Sequence, residues 1–282
     1  MKKILDRKLV KCTLVVVFCA FVTTMFHGFV SMFFPVFIPV ETSFLATKIG
    51  FPLTSFIYFI LAYSCIAFIF CKYQTILNGS KIKKGLIFGV SFGLIWLWGV
   101  IETSVLFGSS LVYEFCTGFA DFSGIFVLAL ILGRFCFSNN VPNNEKSNEN
   151  KFKILLAIVF AVIFCIGRYA IYFSDLIVST YQERPYATFI WTLVMGVLIA
   201  IIYFMLEDLS KTKSPIKKSF EFGIIIFGLN WLVFYEFIPF FLKVSVVEMF
   251  VRAILDIIVV ILCCYVIDNL EKRITKNSEK RN

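Results

Sequence analysis

The sequence predicts an all-α, polytopic integral membrane helix bundle of about eight transmembrane helices. Three observations lead there. Of the 282 residues, 60% are hydrophobic and the mean hydropathy is +0.89, against about 45–50% apolar residues in a soluble domain. The excess gathers into eight runs, each near the roughly 20 residues that a membrane helix needs. The runs are also too long and too uniformly apolar for barrel strands, which alternate over about ten residues.

Taken in order, the predicted spans are 10–34, 51–71, 85–108, 118–137, 152–174, 187–206, 219–242 and 248–267. The first resembles a signal peptide, but its apolar stretch exceeds the usual 7–15 residues and no small-x-small cleavage site ends it. It is therefore read as an uncleaved helix. The second closes against Lys72, and the third follows Lys81, Lys83 and Lys84. That third span carries Gly85, Gly89 and Gly93, a small-residue ridge that admits another backbone closely. The fourth ends beyond Arg134. Residues 138–151, SNNVPNNEKSNENK, form a polar linker. It divides the chain into a first four-helix half (1–137) and a second (152–282) with a basic tail. The seventh span holds Glu236 inside an apolar run, and Pro239 ends or kinks it. The eighth holds Glu248, Arg252 and Asp256.

The net charge of +9 does not point to nucleic acid. Of the 27 basic residues, 22 lie at the two termini or in the even-numbered connections. Basic residues stay on the cytoplasmic side, so both termini are expected inside, in the cell membrane. Anionic headgroups at that face are the expected partners of the basic residues. The nine cysteines include no CxxC pair and His27 is the only histidine, so neither a zinc site nor any cofactor is expected. The cysteines read as small packing hydrophobes. Asn78-Gly-Ser80 fits a glycosylation acceptor but lies in a connection expected inside.

An internal repeat also emerges. IKK at 82–84 recurs at 216–218, offset 134, and FGLIWL at 92–97 recurs as FGLNWL at 227–232, offset 135. Glu102 matches Glu236 and Glu114 matches Glu248 at 134; Asp121 matches Asp256 at 135. The one-residue slip rotates a helix face by about 100°, so the match is imperfect. Two four-span halves with equal orientation make a parallel repeat.

Helical rise places Glu102, Glu114, Asp121, Glu236, Glu248 and Asp256 in the outer half of the bilayer. Each intramembrane charge costs about 2.5–3.5 kcal/mol on insertion scales and needs a partner, a proton or water. Glu248, Arg252 and Asp256 at i, i+4 and i+8 share a face, so Arg252 is the expected bridge between the two acids. The first half has Gly118 where Arg252 stands, which leaves Arg168 and His27 as its candidate bases. Asn230 replaces Ile95 in the matched motif and joins the predicted polar site. Trp96 and Trp231 read as packing residues.

The predicted function is transporter-like: an acidic cluster in the outer half that takes a proton, a cation or a basic small molecule. The alternative is a non-catalytic accessory or regulatory subunit. A membrane-embedded enzyme acting on a lipid or peptide has less support, because no HExxH, GxSxG or P-loop is present. No protein partner is identified by these motifs.

Overall fold

A computed structural model describes residues 2–34, 40–75, 77, 79–136, 150–206 and 214–279; side chains are described except for 2–8, 150–151 and 275–279. Most of the linker (138–149), Asn78 and parts of the basic connections lie outside these residues. Among the described residues eight helical spans, the seventh (Pro215–Phe241) built from several shorter pieces, are long and apolar enough to cross a membrane, and the protein is a multi-pass membrane protein. The helices are α1 (Lys2–Phe33), α2 (Phe44–Ile49), α3 (Phe51–Tyr73), α4 (Lys81–Phe107), α5 (Leu111–Cys136), α6 (Asn150–Phe173), α7 (Pro185–Met205), α8 (Pro215–Phe220), α9 (Leu229–Tyr235), α10 (Phe237–Phe241) and α11 (Val246–Glu279). A π-helical stretch, Glu221–Gly228, joins α8 to α9. The only β pairing among the described residues is an isolated bridge between Thr42 and Leu242. Apolar side chains such as Leu14, Phe18, Ile154 and Ile166 stand more than half exposed along the spans. Such surface suits lipid, not water.

Two expected boundaries move, and capping explains both. Ser80 accepts the Lys83 amide with its hydroxyl and so starts α4 at Lys81. Ser110 accepts the Tyr113 amide at 3.5 Å in the same way, so the fourth span begins at Leu111, not near 118. Between them Gly108 closes α4 in the left-handed region (φ 71°), a conformation that glycine adopts without strain.

The chain divides into two compact units. One comprises Met1–Pro142 with Leu232–Phe250, the other Asn143–Trp231 with Val251–Asn282. In the first unit, α4 and α5 press backbone against backbone. A β-carbon on Gly85 would lie 2.6 Å from the Ala129 carbonyl oxygen, and one on Gly118 would lie 2.8 Å from that of Leu97. The glycine ridge read from the sequence therefore finds its partner in α5. Tyr58 on α3 secures the 232–250 segment by donating to the Val233 carbonyl at 3.0 Å and meeting Phe237, Phe240 and Phe241 edge-on or tilted. Ser43 adds a bond from its amide to Phe241 at 2.9 Å.

In the second unit α7 meets α6 where Gly196 approaches Ala161. At the α8 end, Asp268 of α11 accepts from Lys218 at 2.9 Å and from the Tyr203 hydroxyl at 2.5 Å. The π-helical stretch lies where the repeat offset passes from 134 to 135. A π turn takes i→i+5 bonds and so holds one extra residue; the Leu229 amide bonds the Ile224 carbonyl in this register. The span breaks again at Glu236, four residues after Leu232, to whose carbonyl its amide still bonds. Pro239 cannot donate to Tyr235 and its ring crowds that carbonyl. The break thus sits one helical turn ahead of the proline that causes it.

Candidate functional site

The ionisable groups within the spans are best followed one unit at a time. In the first unit, Asp121 lies on α5 ten residues beyond Leu111, about 15 Å from that helix end. Its carboxylate meets His27 Nε2 of α1 at 2.7 Å, with the aspartate side chain 3% exposed and the histidine 15%. The His27 ring also lies 5.2 Å from that of Phe59. Tyr58 and Tyr63 of α3 stand within electrostatic reach of Asp121. One turn further along α5, Gly124 leaves room for the hydroxyls of Thr23 and Tyr63, which bond each other at 2.8 Å.

Glu102 of α4 is buried and accepts from the Tyr235 hydroxyl at 2.8 Å. It borders a recess of about 20 Å³ with Gly99, Thr103, Phe234 and Phe237. That is room for about one water molecule. Glu114 is buried in the first turn of α5. Glu236 occupies the break before α10 and is half-buried, as is Glu248 in the first turn of α11. The Glu248 amide is capped by the Ser245 hydroxyl at 3.2 Å.

In the second unit Arg168 of α6 grips Asp256 of α11 with two bonds, Nε and Nη2 each at 2.9 Å to separate carboxylate oxygens. Both side chains are fully buried. Trp231 Nε1 donates to the same carboxylate at 2.8 Å, and the guanidinium lies 4.5 Å over the Trp191 ring. This bidentate, stacked geometry is specific to arginine. Asn230 is buried beside Trp231 in sequence, and Arg252 donates to the Val178 carbonyl.

The structure gives three of the six predicted acids, Glu102, Asp121 and Asp256, their own side-chain partners. Both Asp256 carboxylate oxygens receive hydrogens from Arg168, 88 residues away, a base to which the i, i+4 spacing does not point. Of the two bases nominated for the first half, His27 reaches Asp121 and Arg168 serves its own half. Trp231, expected to pack, is a donor, and Tyr235 and Tyr203 hold carboxylates without any signal in their spacing. A tryptophan 25 residues ahead of an aspartate in each half, Trp96–Asp121 and Trp231–Asp256, was the available signal.

Outside the spans, the exposed Glu41 and Lys243 meet at 2.6 Å. That hydrogen bond and the Lys243 charge hold the Glu41 carboxyl below the usual glutamate range, and Glu41 raises Lys243 in return. No metal-binding group of three or more His, Cys, Asp or Glu side chains occurs among the described residues. No protein-family model matches the chain, and neither a curated protein nor a solved structure matches it.

Proposed function

We propose that this membrane protein is transporter-like and handles protons, with His27 and Asp121 as the proton-carrying pair. The observation that carries the reading is the contact itself: a buried carboxylate 2.7 Å from the only imidazole in the chain, inside a span where a fixed charge is costly. Histidine changes charge near neutral pH more readily than any other side chain, and a proton shared with Asp121 neutralises both groups. The recess at Glu102, about 20 Å³, suits water more than a solute, since ligand pockets run to about 300–1,000 Å³. By the distribution of basic residues, the Gly108 turn faces the cell exterior and the termini face the cytoplasm.

The proposed 4+4 duplication frames this reading. Gly89 adjoins Phe126 in one unit, as Gly223 adjoins Ile261 in the other; Gly93 adjoins Phe122 as Gly228 adjoins Ile257. All four pairings match at offsets of 134–135. Each aspartate, Asp121 or Asp256, takes its base from the first span of its own half. Arginine does not give up its proton, so Arg168–Asp256 serves as a fixed pin, whereas His27–Asp121 can open and close with protonation.

The test is proton entry into liposomes holding the purified protein, a trapped pH dye and potassium with valinomycin to clamp the voltage. After a pH step, wild type equilibrates faster than Asp121→Asn. Equal rates would remove the pair from any proton function. One observation favours the accessory-subunit reading instead: the Arg168–Asp256–Trp231 cluster is fully buried and internally bonded, as a packing device is. Stable co-purification of one membrane partner, with no proton flux, would favour that reading.

A further inference from the structure

Resting on the proton reading, we propose that Ser109, Glu114 and Thr117 form the entry station through which protons reach Asp121. These residues are 8%, 2% and 5% exposed. Among the described residues, nothing hydrogen-bonds Ser109 Oγ, Glu114 Oε1 or Thr117 Oγ1. The Ser109 hydroxyl lies within bonding reach of the Glu114 carboxyl and the Tyr113 phenol within reach of Thr117, each short of a well-formed hydrogen bond, and Glu114 is within electrostatic reach of Asp121. Buried polar atoms almost always find partners, and leaving one unmet costs about 1–3 kcal/mol. Three within nine residues, around the start of α5, mark a place where the fold keeps polar capacity open.

Their spacing gives the direction. Positions 114, 117, 121 and 124 fall on one face of α5, because i, i+3 and i+7 recur together at 3.6 residues per turn. That face runs from the Gly108 turn to Asp121 and ends at Gly124, where the Thr23 and Tyr63 hydroxyls meet. From 114 to 124 the rise is about 15 Å. An otherwise apolar span thus carries a polar lane on its buried side, half a bilayer deep. The groups facing it are His27 and Cys19 from α1, Tyr58 and Tyr63 from α3, and Tyr113 on α5 itself; Glu236 reaches Tyr58 from beyond α9. No lysine or arginine is among these groups, so no fixed positive charge among them repels an incoming proton.

The transfer balances. A proton from water joins the Glu114 carboxylate. Glu114 passes it to the Thr117 hydroxyl as that hydroxyl releases its own proton to the Asp121 carboxylate. Glu114 returns to its anionic form, and Asp121, now neutral, shares its proton with His27.

The test uses the same liposomes with Glu114→Gln, Thr117→Val and Thr117→Ser. Glu114→Gln and Thr117→Val should slow proton entry on the order of tenfold, and Thr117→Ser, which keeps a hydroxyl, should retain the wild-type rate. The nitrogen NMR signal of His27 reports whether each variant keeps the native pair. Wild-type rates in both Glu114→Gln and Thr117→Val, while Asp121→Asn remains slow, would overturn the lane and leave the proton reading standing. A wild-type rate in Asp121→Asn would end both.

Discussion

Replacing Arg168 by methionine removes the guanidinium from a site with no exposed surface. Two bonds of 2.9 Å disappear, and the Asp256 carboxylate keeps the Trp231 donor at 2.8 Å. Breaking one side of a buried pair costs about 3–5 kcal/mol, chiefly because the remaining charge stays buried. The face of Trp191 loses its cation, at 4.5 Å, worth up to about 2 kcal/mol in a dry site. The single variant should therefore lose about 5 kcal/mol. Asp256→Leu should lose a similar amount, since it strands the arginine instead. The double variant, an apolar pair of similar bulk, should cost less than either single and far less than the two singles summed. Reversible unfolding in mixed micelles, followed by far-ultraviolet circular dichroism, measures all three. A cost below about 1 kcal/mol for Arg168→Met, or a double variant that simply sums the singles, would refute the pin.

Gly124→Ala should destabilise by about 1–3 kcal/mol, because the new methyl group collides with the Tyr63 and Thr23 hydroxyls; the same unfolding assay reads it. Gly85→Val should cost at least as much, since the Ala129 carbonyl blocks it at 2.6 Å and backbone cannot step aside. Glu41→Gln should lower stability slightly at pH 7. The pair's contribution is present above the ordinary glutamate pKa, because the folded value is lowered, and is lost as pH falls through that folded value. For Lys243, raised in the folded state, the contribution holds below the ordinary lysine pKa and is lost as pH rises through the folded value. Wild type and Glu41→Gln should thus unfold alike once the pH has fallen below the folded Glu41 value and differ between those limits.

Apolar run length was enough to read the eight spans, since a bilayer demands length and little else. Boundaries were harder where polar residues are helical: Glu114 and Thr117 look like a connection in sequence, yet Ser110 caps a helix that contains both. Motifs at offsets of 134 and 135 suggested the repeat, and the π-helical stretch lies between IKK at 216–218 and FGLNWL at 227–232, where the offset first changes. Acids could be placed on faces, because helical periodicity is local. Their partners could not. Arg168 reaches Asp256 across 88 residues of sequence, and nothing in i, i+4 spacing carries that distance. Lone hydroxyls such as Tyr235 and Ser109 gave no pattern at all, because serine and tyrosine are common in membrane helices and only burial singles these out.

His27 being the only histidine, selective nitrogen labelling of histidine yields one imidazole in the entire protein. Solid-state NMR of that ring in lipid bilayers tests the proton pair most directly. The account predicts an Nε2 signal that carries a carboxylate hydrogen bond and changes environment in Asp121→Asn. A ring whose signal is the same in both proteins would contradict it.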